Sequence, residues 1–336
     1  MKTIAFFNNK GGVGKTTLVY HLAWMMADLG ARVLAVDLDP QANLTSMFLG
    51  DRDLEEIWPD GDHPDTIFGA LRPIISGTGD VKKPKGHEIV DQGHEIADRL
   101  TLIAGDLGLS SFEDKLSDAW PRCQNGDEAA FRATTAFYRG FMQVARDCKA
   151  EFVLVDVGPN LGAINRAALI SCDYVVVPLG PDLFSVQGLR NLGPTLKRWR
   201  ADWKQIIGKN PNAELELPKG NITPLGYVVL QHGMRDNQPP KAYQKWIDRF
   251  PREYRKAVLD DTSPVGPDGA PDPNLLAMLK NYRSLMPMAM QARKPMFFLR
   301  SADGAIGAHL QATKQAYEDF EKLARAISAR AGAPLD

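Results

Sequence analysis

The feature that most constrains this chain is the stretch Asn9-Lys10-Gly11-Gly12-Val13-Gly14-Lys15-Thr16-Thr17, set between an apolar run, Ile4 to Phe7, and a helical pattern from Thr16 to Leu29. Glycines let the backbone turn so that successive N–H groups point at one place, and the positive end of the following helix stands behind them. Such a loop cradles phosphate. Lys15 can reach the β- and γ-phosphates of a nucleotide, the Thr16 hydroxyl can ligate Mg²⁺, and Gly11, Gly12, Val13, Gly14 and Thr17 supply the backbone around them. An ordinary phosphate loop begins with glycine, whereas here Asn9 holds that place and Lys10 follows it.

Val19, Leu22, Ala23 and Met26 fall at helical spacing after the loop, and Gly30 supplies a stop. Short apolar runs rich in β-branched residues then recur at Val33 to Val36, Leu100 to Ala104, Phe152 to Val155, Tyr174 to Val177 and Leu225 to Leu230. Runs that are apolar on both faces suit strands buried in a parallel sheet with helices on each side. The expected fold class is therefore α/β: a P-loop NTPase with a mostly parallel twisted sheet, forming one domain over residues 1–330. Residues 51–99 interrupt the pattern with Asp, Gly and Pro and read as an insertion, and residues 232–275 read as a variable region with a long surface loop from Asp260 to Pro273. Within the insertion, Gly86-His87-Glu88-Ile89-Val90-Asp91 is echoed by Gly93-His94-Glu95-Ile96-Ala97-Asp98. A duplicated surface hairpin explains the repeat better than a metal site. An amphipathic helix is expected from Gln311 to Ala329.

Composition excludes several classes. Apolar residues at 44% and charged residues at 24% are globular values, no run approaches the roughly 20 apolar residues of a membrane span, and the N-terminus lacks the form of a secretory signal. A cytoplasmic protein with no membrane partner is expected. The three cysteines, Cys123, Cys148 and Cys172, have no C-x-x-C spacing and read as core thiols.

At the phosphate loop the chain resembles the deviant Walker A ATPases of the ParA/MinD superfamily, whose mark is K-G-G-V-G-K-[ST]-T. Asp37-Leu38-Asp39-Pro40-Gln41-Ala42-Asn43 resembles the D-x-D-P-Q-x-N element of the ParA branch, and Val155-Asp156-Val157-Gly158-Pro159 resembles the D-x-x-P segment closing the Walker B strand. Val177-Pro178 with Phe184-Ser185-Val186-Gln187-Gly188-Leu189, and Ala292-Arg293-Lys294-Pro295-Met296, resemble later family segments.

The resemblance implies ATP and Mg²⁺ as ligands and slow hydrolysis of ATP to ADP and phosphate. It implies that Lys10 crosses a homodimer interface to the partner's ATP, and that Asp39 orients or activates the attacking water. Asp37 would close its strand beside the Mg²⁺ shell, and Asp156 would hold the metal with Thr16. Two carboxylates at the carboxyl end of a strand agree with where open α/β sheets bind ligands. Gln231 is a candidate adenine contact, although an ordinary loop glutamine fits equally well.

Residues 1–168 carry 17 Lys+Arg against 24 Asp+Glu, a charge of -7, and residues 169–336 carry 23 against 17, a charge of +6. Arg283, Arg293, Lys294 and Arg300 in the basic half are candidate DNA contacts, and the family implies sequence-independent DNA binding with an activating partner of ParB type, in DNA partition or cargo positioning. The alternative is a nucleotide switch that regulates a protein assembly and never touches DNA. Iron–sulfur carriers lack their cysteines here, and carboxylating synthetases would not need Lys10.

Overall fold

The six apolar runs become strands. The computed structural model describes residues 1–90, 96, 98–232, 241–263, 272–282 and 284–335, with the backbone alone at 231, 232 and 241. The strands are β1 (Lys2–Phe6), β2 (Val33–Asp37), β3 (His87–Glu88), β4 (Leu100–Ile103), β5 (Phe152–Asp156), β6 (Tyr174–Leu179), β7 (Thr223–His232) and β8 (Leu275–Lys280). They form one sheet in the order β3-β4-β2-β5-β1-β6-β7-β8. Every pairing is parallel except that of β3 with β4.

The helices are α1 (Lys15–Asp28), α2 (Asn43–Phe48), α3 (Asp51–Ile57), α4 (Ile67–Ser76), α5 (Phe112–Cys123), α6 (Glu128–Thr134), α7 (Ala136–Asp147), α8 (Ala163–Ile170), α9 (Leu183–Ile206), α10 (Lys241–Ile247), α11 (Phe250–Val258), α12 (Leu285–Ala292) and α13 (Ala308–Arg330). Because strand side chains alternate, each strand feeds two cores. Ile4 and Phe6 of β1 join Val33 and Ala35 of β2 under α1 and α13. Ala5 joins Leu34 and Val36 under α4 to α9. Truncating one of these large side chains, Phe6→Ala for instance, costs about 3–5 kcal/mol.

Of residues 51–99, read as an insertion, 51–90 are folded and partly buried. Ile57, Ile67, Leu71 and Ile74 enter the two cores. Asp106, buried after β4, accepts hydrogen bonds from the Thr66 hydroxyl at 2.8 Å and the Gly108 N–H at 2.7 Å, and its carboxylate lies 2.7 Å from His63 Nδ1. The turn before α4 is thereby fastened to the sheet. The first His-Glu pair is β3, where His87 Nε2 lies 2.8 Å from the Asp65 carbonyl oxygen; most of the second copy lies outside the described residues. Cys123 and Cys172 are buried, Cys148 is half-buried, and all three are free thiols. Burial pushes each thiol pKa up, which leaves them unreactive. Among the described residues no helix is long and apolar enough to cross a membrane.

The register decides where the chemistry lies. Phe6 of β1 stands beside Asp156 of β5, and Asp37 of β2 stands beside Asp156 on its other flank. The carboxyl ends of three adjacent strands therefore meet directly below the phosphate loop.

Candidate functional site

The loop runs from the end of β1 into α1. Gly12 and Gly14 take φ of 72° and 91°, the left-handed region open to glycine. No side chain caps α1 and its first turn holds no acidic residue, so the N–H groups there are left for an anion. Asn8, which is buried, fixes the loop from below: its Nδ2 donates to the Pro178 carbonyl at 2.6 Å, and its Oδ1 accepts from the Lys10 N–H at 3.1 Å. Gly188 of α9 presses against the same turn. A Cβ there would stand 2.7 Å from Asn9 Oδ1 and 3.1 Å from Asn8 Oδ1, which accounts for glycine within the Phe184 to Leu189 segment.

Lys15 is buried, and its Nζ reaches the Lys10 carbonyl oxygen at 3.5 Å. Desolvation lowers its pKa, while the charges of Asp156 and Asp39 pull the other way. Asp39 is also buried; its Oδ1 accepts from the Gln41 N–H at 3.0 Å, and the carboxylate lies against Gly158 in the turn after β5.

Asp156 has an unusual environment. It is fully buried, and neither carboxylate oxygen has a hydrogen-bond partner of normal geometry. Burial, then the neighbouring charge of Asp37, pushes its pKa up to about 8, against the pull of the Thr16 hydroxyl and the Lys15 ammonium. A carboxylate left this way is costly unless something supplies donors or charge. A hydrated divalent cation beside Thr16 does so, and the residues fit Mg²⁺ on that ground. Among the described residues no group of three or more His, Cys, Asp and Glu forms a protein cage.

Asp37, expected beside the metal shell, is engaged within the protein. Its Oδ2 accepts from the Thr45 N–H at 2.8 Å and the Thr45 hydroxyl at 2.7 Å, and its Oδ1 accepts from the Asp39 N–H at 3.2 Å. Both oxygens accept hydrogen bonds, and the carboxylate holds the turn that carries Asp39. Thr45 in turn accepts from the Gly105 N–H at 2.7 Å.

A family model described as an AAA domain matches residues 1–208. The chain is 27% identical over 222 residues to the chromosome partitioning protein ParA of Caulobacter vibrioides, covering 64% of this chain and 67% of that one. This chain belongs to the ParA/MinD superfamily. Among solved structures, a protein of Corynebacterium diphtheriae superposes with a TM-score of 0.67 at 26% identity, over 87% of this chain and 97% of that one. The ParA of pNOB8, solved bound to nonspecific DNA, superposes with a TM-score of 0.60 at 20% identity over 98% of both chains, a likeness of fold alone. The chain spans less than half of some longer relatives, 47% of the IncC protein of Escherichia coli among them.

In this ParA-like chain, Lys10 is turned inward: its ammonium forms an ion pair with Asp182 and lies 5.9 Å from the centre of the Phe184 ring. Asp182 also caps α9 by accepting from the Ser185 N–H at 2.9 Å. Beside Gly14 and Thr17 an open cleft of about 190 Å³ is lined by Leu230, Leu279, Tyr282 and Met296. It lies at the ends of β7 and β8, next to the point where Gln231 follows Leu230; the Gln231 side chain lies outside the described residues.

Of the candidate DNA contacts, Arg293 and Lys294 are paired within the protein. Arg293 donates to Asp51 Oδ1 at 2.7 Å and to the Leu49 carbonyl at 3.2 Å, and Lys294 pairs with Asp303 at 3.0 Å. The Arg300 N–H donates to the same Asp303 at 2.9 Å. Arg283 lies outside the described residues. Sequence reasoning missed Thr45, Asp182 and the walls of the cleft beside Gly14 and Thr17. A nearby Asp hints at Thr45, while nothing local marks Asp182, which lies far along the chain from Lys10.

Proposed function

We propose that residues 1–330 act as one ParA-type ATPase domain. It hydrolyses ATP to ADP and phosphate slowly, dimerises when ATP is bound, and in that state binds DNA without sequence preference; a ParB-type partner accelerates turnover. The observation that carries this reading is the Asp156 carboxylate, buried below the phosphate loop with no hydrogen-bond partner of normal geometry, with Lys15 and Asp39 beside it.

Gly11 to Thr17 would wrap the triphosphate with backbone N–H groups, and Lys15 would neutralise the β- and γ-oxygens. Thr16 and Asp156 would hold Mg²⁺, with Asp37 acting one step back by fixing the turn. When bound, Mg²⁺ neutralises phosphate charge and orients the chain of phosphates. Asp39 would orient the attacking water and favour loss of its proton as the new P–O bond forms and the bond to the ADP oxygen breaks. Adenine would enter the cleft beside Gly14 and Thr17, near Gln231. Lys10 would leave Asp182 and reach the nucleotide of the second protomer.

The basic half of the chain and the DNA-bound ParA neighbour support a DNA-binding state, with Arg283, Arg293, Lys294 and Arg300 as proposed contacts. Such binding would place the protein in the cytoplasm on the nucleoid. The internal pairing of Arg293 and Lys294 favours a second reading, a nucleotide switch that works on a protein assembly without DNA.

Light scattering with ATP, ADP and no nucleotide, phosphate release with and without Mg²⁺, and a duplex shift assay over a salt series test the proposal together. Dimer with ATP alone, Mg²⁺-dependent phosphate release, and ATP-dependent shifts that fade steeply with salt are expected. An equal dimer in all three nucleotide states rejects the switch. A dimer with ATP but no shift at low salt selects the second reading.

A further inference from the structure

α9 and α11 meet backbone to backbone, since a Cβ on Gly193 would stand 1.7 Å from the Ala257 carbonyl oxygen. Around this contact opens a cavity of about 530 Å³, none of whose lining residues belongs to the phosphate loop or to the cleft beside it. Arg190, Lys197, Arg200 and Lys256 line it. Two of these cations are already matched: Arg190 donates to Glu253 at 2.9 and 2.7 Å, and Lys197 pairs with Asp260. Among the described residues Arg200 and Lys256 make no hydrogen bond or close ion pair, and Lys256 acts on Glu253 only through its longer-range charge. Lys256 is exposed, but Arg200 is half-buried, so its guanidinium has lost water and gained no carboxylate in return.

A desolvated arginine with no counter-charge works against the stability of the free protein. A second unpaired cation lining the same cavity leaves two positive charges over its lining. Guanidinium binds phosphate oxygens through parallel hydrogen bonds, and lysine adds a point charge. Pro194, Val258 and Leu259 give the same cavity an apolar wall.

We propose that the cavity between α9 and α11 is an anion site for a phosphate-bearing ligand, with the phosphate held between Arg200 and Lys256 and the remainder on the apolar wall. The phosphate belongs either to a free phosphorylated compound or to a nucleic-acid backbone, and the test distinguishes the two. This site is independent of nucleotide binding at the loop.

The probe is phenyl phosphate, titrated calorimetrically into full-length protein whose loop is saturated with ADP and Mg²⁺. One phenyl phosphate per chain is expected. Arg200→Gln and Lys256→Gln are each expected to weaken it about 10-fold or more, while ADP affinity stays at the wild-type value in both. Arg200→Gln is also expected to keep or raise the melting temperature, whereas an arginine with a merely structural role would lower it on removal. Lys256→Gln, at an exposed position, keeps the test intact if the first variant folds poorly. Displacement of phenyl phosphate by a short random duplex assigns the site to nucleic acid, and failure to displace assigns it to a free phosphorylated compound. No binding to the ADP-loaded protein, or unchanged affinity in both variants, overturns the proposal. Loss of ADP binding by wild-type protein would instead overturn the reading of the phosphate loop.

Discussion

The ends of β1, β2 and β5 and the basic C-terminal half treat charge in opposite ways. Below the phosphate loop Lys15, Asp37, Asp39 and Asp156 are buried together, and neither oxygen of Asp156 has a hydrogen-bond partner of normal geometry. In the basic half, cations sit near the surface and several of the described ones face a carboxylate, among them Arg190 with Glu253, Arg255 with Asp261, Arg293 with Asp51 and Lys294 with Asp303. Exposed pairs of this kind contribute about 0–1 kcal/mol each. An uncompensated buried charge costs several kcal/mol. A surplus of +6 is thus a weak pointer to a binding surface, and the state of pairing is the stronger one.

The largest expected effects fall on the buried group. Asp39→Ala should keep ATP binding and lower turnover by about 10²–10⁴-fold, read as phosphate release under saturating ATP. Lys15→Ala should weaken ATP by about 2–5 kcal/mol, measured by calorimetry, because a buried charge partner is removed. If Asp39→Ala turns over like wild type, the buried carboxylates are no more functional than the surface pairs, and the contrast fails.

Lys10 lies between the two cases, a signature lysine held by a partly exposed ion pair. Asp182→Asn keeps the cap on α9, since asparagine caps as well as aspartate, and removes only the charge that holds Lys10. Dimer formation with ATP should tighten up to about fivefold, the worth of a partly exposed pair. Lys10→Ala should abolish the ATP-dependent dimer in light scattering. Equal dimer affinity in Asp182→Asn and wild type would mean that the ion pair does not compete with dimerisation.

What could be read from the sequence was what is encoded locally. The loop, the carboxylates at the ends of β2 and β5, and the helices α1 and α13 all carry their signal within a few residues of one another. β8 carries none: Leu275-Leu276-Ala277-Met278-Leu279-Lys280 has no β-branched residue and becomes a strand because β7 offers a parallel edge. α3 is too short to build a strong period and α4 carries Gly69 and Pro73 inside it, so these residues read as irregular although Asp106 ties them down. The occupied state of Asp37 depends on Thr45 folding back over it, and the Lys10 to Asp182 pair depends on β6 lying next to β1. Both are products of topology.

His21 joins the two regions under comparison. It sits fully buried in α1, with Nδ1 2.7 Å from the Thr17 carbonyl oxygen and Nε2 accepting from the Met296 N–H at 3.1 Å. Its ring stacks on Phe320 at 5.0 Å. Burial lowers its pKa to about 4, and the hydrogen bond to Thr17 opposes this only in part. The folded pKa lies below the unfolded value, so the unfolded chain binds the extra proton first. The stability is fully present above about pH 6.5 and is lost as pH falls toward 4, on the order of 3 kcal/mol in all. His21→Gln should flatten the stability curve between those limits in denaturant titrations. An unchanged slope would remove His21 as the acid-sensitive link between α1 and the C-terminal segment.

The smallest expected effect belongs to Arg293, and it tests the pairing criterion most directly. Its backbone closes α12 at a φ of 51°, and its guanidinium is committed to Leu49 and Asp51. Glutamine at this position keeps the same backbone strain, so Arg293→Gln isolates the charge. Stability should change by no more than about 1 kcal/mol, as for other exposed pairs. To touch a phosphate the guanidinium must first leave Asp51, which cancels much of the gain. The ATP state of the variant should therefore bind duplex DNA within about threefold of wild type, with a salt slope flatter by less than about one unit. A shift assay across a salt series measures both. A loss of about 10-fold with a slope reduced by a full unit would show that paired cations in the basic half do bind phosphate, and that pairing in the free protein does not reveal which charges are spent.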